Sequence, residues 1–150
     1  MQQVTEQFSS ATSRKTMWDE SVKELITQLA APKGTVGILY TSEDLAPFLG
    51  KMLDQLRLKT GVTDWSCASG YGTISHTEEV FGESSATVIV LDLPPDAYRV
   101  FSGNADVGTL LSAKETEWLA EATMPLAISH VDPRHPHAME AISNLAEMTG

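Results

Sequence analysis

The chain has 150 residues, 42% of them hydrophobic and 20% charged, and 20 Asp and Glu against 10 Lys and Arg give a formal charge of −10. This composition is typical of a globular domain and excludes a disordered chain. The negative charge disfavours DNA, RNA and membrane surfaces as partners.

The single cysteine excludes an intrachain disulfide and a Cys-x-x-Cys zinc site. The first ten residues have neither a basic start nor an apolar run, and no apolar stretch reaches the ~18 residues that span a bilayer. We therefore expect a cytoplasmic protein without membrane insertion. Residues 1–13 are rich in Ser, Thr and Gln, which predicts a flexible lead-in before a domain formed by residues 14–150.

The first half of the chain alternates helix and strand. Apolar residues at helical spacing predict a helix over residues 14–31, and the apolar run 35–41 predicts a buried strand of the parallel kind. A second helix begins at Ser42, whose hydroxyl is a capping group, and ends at Thr60–Gly61.

A run of extended segments follows. Residues 62–69 predict a strand, two glycines break it, and residues 73–77 continue in extended form. Residues 86–93 are the strongest strand signal in the chain, and residues 98–102 are predicted to return as a strand after a Pro-Pro turn.

The last third is predicted to hold two helices around one strand. Ser112 and Glu115 form a capping box for a helix, residues 125–131 predict a strand, residues 132–136 a loop, and a final helix starts near Ala138. The resulting order predicts an α/β fold, a single domain in which helices pack on a mixed sheet of about six strands.

The stretch 62–80 contains the single cysteine and the Gly-x-Gly of Gly70, Tyr71 and Gly72. This Gly-x-Gly lacks the third glycine of a dinucleotide fingerprint, so it indicates either a turn or a backbone-lined pocket for a small ligand. Because ligands collect beyond the carboxyl ends of strands in open α/β sheets, the end of strand 35–41 is a second candidate. If both strands are neighbours, their ends share one crevice. The predicted ligand-binding residues are Tyr40, Ser42, Cys67, Ser69, Gly70, Tyr71 and Gly72.

Cys67 has two interpretations. It is a small core residue, or it is a nucleophile that requires a base such as His76 or His130. His130, His135 and His137 surround Asp132, which suggests a metal site as an alternative to an exposed loop, but the spacing matches no zinc signature.

Several blocks together resemble the N-terminal FIST domain, a bacterial sensory module joined to signal-transduction machinery. They are an opening helix, the strand Val36–Thr41, the segment Leu56–Gly61, the segment Trp65–Gly70, the strand Ala86–Leu91 and the late pair Asp132-Pro133. The resemblance implies a cytoplasmic input domain that binds a small molecule, an amino acid or a derivative in some members and haem in others. It also implies that residues 14–150 are either part of a longer domain or a short relative of the family, and that a signalling protein or a further C-terminal domain is the output partner.

Four functions follow from these features. The leading one is a non-enzymatic sensory domain with its pocket near Gly70–Gly72. The second is a haem- or metal-binding sensor that uses His76 or His130, with Cys67 as a further ligand. The third is an enzyme with Cys67 as nucleophile, and the fourth is a protein–protein module that forms homodimers through an edge strand.

Overall fold

The computed structural model describes residues 8–101, 113–122 and 126–149. These residues fall into two compact units, one within Met1–Val100 and one within Phe101–Gly150. The first unit contains the strands β1 (Phe8–Ser13), β2 (Val36–Ser42), β3 (Asp64–Gly70), β4 (Gly72–Ile74), β5 (Glu79–Phe81) and β6 (Ala86–Leu91). Its helices are α1 (Trp18–Leu29), a 3-10 helix (Glu43–Phe48) and α2 (Leu49–Thr60).

Four of these strands form the main sheet of the described chain, in the order β1-β6-β2-β3. β2 and β3 are parallel, whereas β6 is antiparallel to both β1 and β2. β4 and β5 form a separate antiparallel pair. The α/β class and the mixed sheet are therefore confirmed, but the main sheet has four strands instead of about six.

One face of the sheet packs against α1 and α2. Side chains of a strand alternate between the two faces, so Leu39, Trp65 and Val88 point to the helices while Tyr40 and Thr87 point to the opposite face. The buried core on the helical side also includes Ala11, Val22, Leu25, Leu29, Leu45, Met52, Leu56, Val62, Ala86 and Val90.

Gly37 of β2 admits the largest of these core side chains. A Cβ atom at Gly37 would lie 2.4 Å from the Trp65 ring, which belongs to the neighbouring residue of β3. The indole nitrogen of Trp65 donates a hydrogen bond to the Val62 carbonyl at 2.8 Å. The glycine thus makes room for an oriented, buried indole.

The lead-in predicted for residues 1–13 is corrected in part, because Phe8–Ser13 form β1 and pair with β6. A Ser-rich sequence is not typical of a strand, so β1 was not predicted. A side chain of α1 makes hydrogen bonds to the backbone along the outer edge of this strand. Gln28 of α1 donates to the Thr12 carbonyl at 2.7 Å and accepts from the Thr12 amide at 3.0 Å. Residues 1–7 lie outside the described residues.

Two predicted strands are wrong. Residues 98–101 have no strand structure. The Tyr98 hydroxyl lies 3.0 Å from both the Thr35 carbonyl oxygen and an Asp64 carboxylate oxygen, and it shares its single proton between these two acceptors. Residues 126–131 have no strand structure either, and they have no ladder partner among the described residues. Ser102 and Pro125, at the ends of these two predictions, lie outside the described residues.

The second unit contains α3 (Ala113–Ala120) and α4 (Ala138–Thr149). Both helices were predicted, as was the loop of residues 132–136, in which the His135 amide donates to the Asp132 carbonyl at 2.9 Å. The predicted capping residue Ser112 lies outside the described residues. No helix in the described parts of the chain is long and apolar enough to cross a bilayer.

Candidate functional site

The ends of β2 and β3 lie side by side, as expected if ligands collect there. The parallel register pairs Thr41 with Ser69 and Ser42 with Gly70. The antiparallel pairs place Ala86, the start of β6, beside Thr41, and Ser13, the end of β1, beside Ala86. The carboxyl ends of β1, β2 and β3 and the amino end of β6 therefore meet at one edge of the sheet.

We call the last full row of side chains at this edge, Ser13, Ala86, Thr41 and Ser69, the edge row. Adjacent strands are about 4.8 Å apart, so the row spans roughly 15 Å. Ser13 shows which face the row occupies, because its hydroxyl donates to Glu24 of α1 at 2.6 Å. The edge row therefore lies on the helical side and carries three hydroxyl groups.

Thr41 is the unusual member of the edge row. Its side chain is 0% exposed, and its hydroxyl has no hydrogen-bond partner among the described residues. Ser21, Thr73 and Ser85 have the same deficit, and Ser21 lies on α1, outside the sheet. A buried hydroxyl without a partner costs about 1–3 kcal/mol, so a bound molecule or a water at Thr41 would stabilise the fold.

The pleat of the sheet divides the predicted ligand-binding residues between two faces. Cys67 and Ser69 share the helical face with Thr41, whereas Tyr40 and Ser42 lie on the opposite one. Tyr71 is 83% exposed beyond the end of β3. The structure confirms that the strand ends are neighbours but does not place all of these side chains around one crevice.

Gly70 and Gly72 end β3 and begin β4, so the predicted glycine break is confirmed as a connection between strands. At Gly72 a Cβ atom would lie 2.3 Å from the Val80 carbonyl oxygen and 2.7 Å from the Phe81 ring. The glycine is therefore required by the close approach of β5.

On the opposite face, Ser42 takes part in a local hydrogen-bond network. Its hydroxyl donates to Asp44 at 2.5 Å and accepts from the Ser85 amide at 2.9 Å, while the Ser84 hydroxyl also donates to Asp44. These hydrogen bonds lower the pKa of Asp44. The network ties the end of β2 to the segment that leads into β6.

A cleft of about 280 Å³ lies at the end of β1, where its lining includes both chain neighbours of Ser13 but no residue of the edge row. It is lined by Thr12, Arg14, Lys15, Glu24 and Glu78. Arg14 forms an ion pair with Glu78 at 2.7 Å, which raises the pKa of the guanidinium. No sequence pattern indicated this cleft, because Arg14 and Lys15 fall at the start of a predicted helix and Glu78 lies far away in the chain.

Cys67 packs against the core on the helical face and is half-buried. Burial raises the pKa of its thiol, and the charge of Arg57 opposes this only in part. A nucleophile needs the opposite shift. Burial also raises the pKa of Tyr40.

His76 lies in the turn between β4 and β5, next to β1. Its Nδ1 atom is 2.7 Å from the Ser10 hydroxyl, and its ring meets the Phe8 ring edge to face at 5.9 Å. These contacts explain its position without a cofactor.

The second unit contains the three histidines that were considered as metal ligands, His130, His135 and His137. The His137 Nδ1 atom lies 3.1 Å from Glu140, and Asp132 forms an ion pair with Arg134 at 3.0 Å, which lowers the pKa of Asp132. Burial lowers the pKa of His130. Within the described ranges, no three His, Cys, Asp or Glu side chains are grouped so as to hold a metal ion.

Comparisons of the chain with protein-family models, with curated proteins and with solved structures gave no match.

Proposed function

We propose that this chain is a non-enzymatic sensory domain of the FIST type, which binds a small molecule at the edge row. The observation that carries the proposal is Thr41, a fully buried hydroxyl without a partner among the described residues, at the end of β2 beside Ser69. Parallel strand ends are where α/β sheets hold ligands, since backbone groups and loops converge there.

The cleft beside Ser13 supports an amino acid or a derivative as the ligand. Its lining contains the cations Arg14 and Lys15 and the carboxylates Glu24 and Glu78. Both signs of charge within one cleft suit a ligand that carries an ammonium and a carboxylate group. The Arg14–Glu78 ion pair would then open to bind it.

The raised pKa of Cys67 favours this function over a cysteine-dependent enzyme, because the protonated thiol is a poor nucleophile at neutral pH. In the proposed role the protein is cytoplasmic. Ligand binding alters its interaction with a downstream signalling protein or with a further C-terminal domain.

The test is thermal unfolding of the full chain against amino acids, nucleotides and haem. A ligand present at 100 times its dissociation constant stabilises the folded state by about 2.7 kcal/mol, which raises the melting temperature by roughly 5–10 °C. We expect a saturable rise with one class of amino acid. A rise with haem alone, together with a Soret band, would replace the proposal with a haem sensor, and no rise with any compound would contradict ligand sensing by this chain.

A further inference from the structure

The small sheet of β4 and β5 exposes apolar side chains on its outer face. Thr73 and Val80 are opposite each other and both 2% exposed, so this face of the pair is covered. Ile74 and Phe81, on the other face by strand alternation, are 65% and 59% exposed. Polar residues usually occupy the solvent face of an antiparallel pair, whereas the solvent face of this pair carries apolar side chains.

Ile74 and Phe81 are neighbours on the exposed face of the pair. Phe81 is paired with Gly72, so Ile74 is its diagonal neighbour on the same face, within reach of a large side chain. We call Ile74 and Phe81 the hairpin patch. Grouped exposed apolar residues of this kind mark interaction surfaces.

The Phe81 ring lies against the backbone of β4 at Gly72. It covers Gly72 so closely that a Cβ atom there would lie 2.7 Å from the ring. A side chain that is already ordered loses little entropy on binding, which favours its use as an anchor.

The charge around the hairpin patch indicates which kind of partner would fit it. Residues 71–85 contain Glu78, Glu79 and Glu83 but no lysine or arginine. Glu78 and Glu83 lie near Arg14, at 2.7 and 3.6 Å, whereas Glu79, opposite Ile74, forms no ion pair with the described residues. A second copy of this chain would bring the same acids and a charge of −10, so like charges disfavour it.

We propose that the hairpin patch is a docking surface for a cationic segment of a partner protein, in which apolar side chains stand beside lysine or arginine. The apolar side chains contact Ile74 and Phe81, and the cations lie near Glu79. This surface shares no residue with the edge row or with the lining of the cleft.

The test uses two fluorescently labelled peptides of equal length, one alternating valine with lysine and one alternating valine with glutamate. Fluorescence anisotropy with the full chain is expected to show saturable binding of the lysine peptide alone. The affinity should fall with added salt, and the Glu79→Gln variant should show a weaker affinity and a smaller dependence on salt. Absence of saturable binding by the lysine peptide would overturn the proposal.

Substitutions separate docking from general attraction to an acidic protein. Ile74→Thr retains a β-branched residue at an exposed strand position, and together with Phe81→Thr it is expected to weaken binding about tenfold or more. The matched control is Leu58→Thr, which removes an apolar side chain that is 71% exposed on α2 and should leave binding unchanged. Equal binding by wild type and the double variant would show attraction by charge alone and overturn the proposal. Circular dichroism verifies that each variant is folded.

Discussion

At the scale of single residues, Cys67 shows how position decides chemistry. It lies in β3 beside Trp65 in sequence, and both side chains face the helices, where the core surrounds them. The thiolate would lose hydration there, so burial raises the pKa of the thiol. The sequence presented a core residue and a nucleophile as alternatives, and the surroundings of the thiol favour the first.

We predict that Cys67 in the folded chain reacts with iodoacetamide more slowly than free cysteine at neutral pH. The rate should increase only at a pH above the range in which free cysteine becomes a thiolate. The urea-unfolded chain, with the thiol exposed, is the control and should react like free cysteine. Faster reaction in the folded chain would contradict the burial of the thiol and support an enzyme.

Asp44 provides a second prediction at this scale. Its pKa is lowered, so its contribution to stability is present above the ordinary pKa of about 4 and is lost as the pH falls through the lower folded value. Asp44→Asn should reduce the free energy of unfolding at pH 7 by about 1 kcal/mol, because the carboxylate is partly exposed.

Urea unfolding from pH 7 to pH 2 measures this effect. The difference between wild type and Asp44→Asn should shrink below about pH 4. Asp92→Asn, at an exposed position after β6, is the control and should show little change at any pH. An effect of Asp44→Asn that persists undiminished at the lowest pH would show that its hydrogen bonds with Ser42 and Ser84 do not depend on ionisation.

At the scale of elements, the sequence predicted most helices and strands because their own patterns determine them. The apolar run of β2 and the helical spacing in α1 are local signals. β1 and β5 were not predicted. A Ser-rich strand and a strand of three residues have no clear pattern of their own, and only the strands they pair with identify them. The strand predicted over residues 125–131 has a local pattern, but its described residues have no ladder partner, and a strand requires one.

Two glycines in neighbouring elements should respond in opposite ways to alanine. At Gly37 a Cβ atom would lie within 2.4–2.7 Å of the Trp65 ring, so Gly37→Ala should lower the free energy of unfolding by about 2 kcal/mol. Gly50 lies in α2 with no atom within 4 Å of the added carbon, so Gly50→Ala should raise it by about 0.5–1 kcal/mol.

Chemical denaturation of the three proteins checks this pair of predictions. Gly50→Ala is the matched control, since it adds the same methyl group in a neighbouring element. If Gly37→Ala is as stable as wild type, the Trp65 ring does not cover β2 as the structure shows.

At the scale of the whole molecule, the candidate site was only partly predictable. The adjacency of β2 and β3 was a hypothesis at the level of the sequence, and the parallel register of the two strands confirms it. The register between β2 and β3 decides which of their side chains share a face, and sequence patterns do not determine it. They therefore could not show that Tyr40 and Ser42 lie on the face opposite Cys67 and Ser69. The cleft at Arg14 joins residues that are distant in the chain, and sequence patterns do not reveal such contacts.

The measurement that tests the proposed ligand site most directly is the ligand-induced rise in melting temperature for wild type, Thr41→Val and Ser21→Ala, measured with amino acids. Both substitutions remove a buried hydroxyl that has no partner among the described residues, so neither should destabilise the free chain by more than about 1 kcal/mol. Only Thr41 belongs to the edge row. We predict that wild type and Ser21→Ala show the same rise and that Thr41→Val shows little or none. An equal rise in all three proteins would place the ligand away from the edge row, and no rise in any of them would contradict the proposed sensory function.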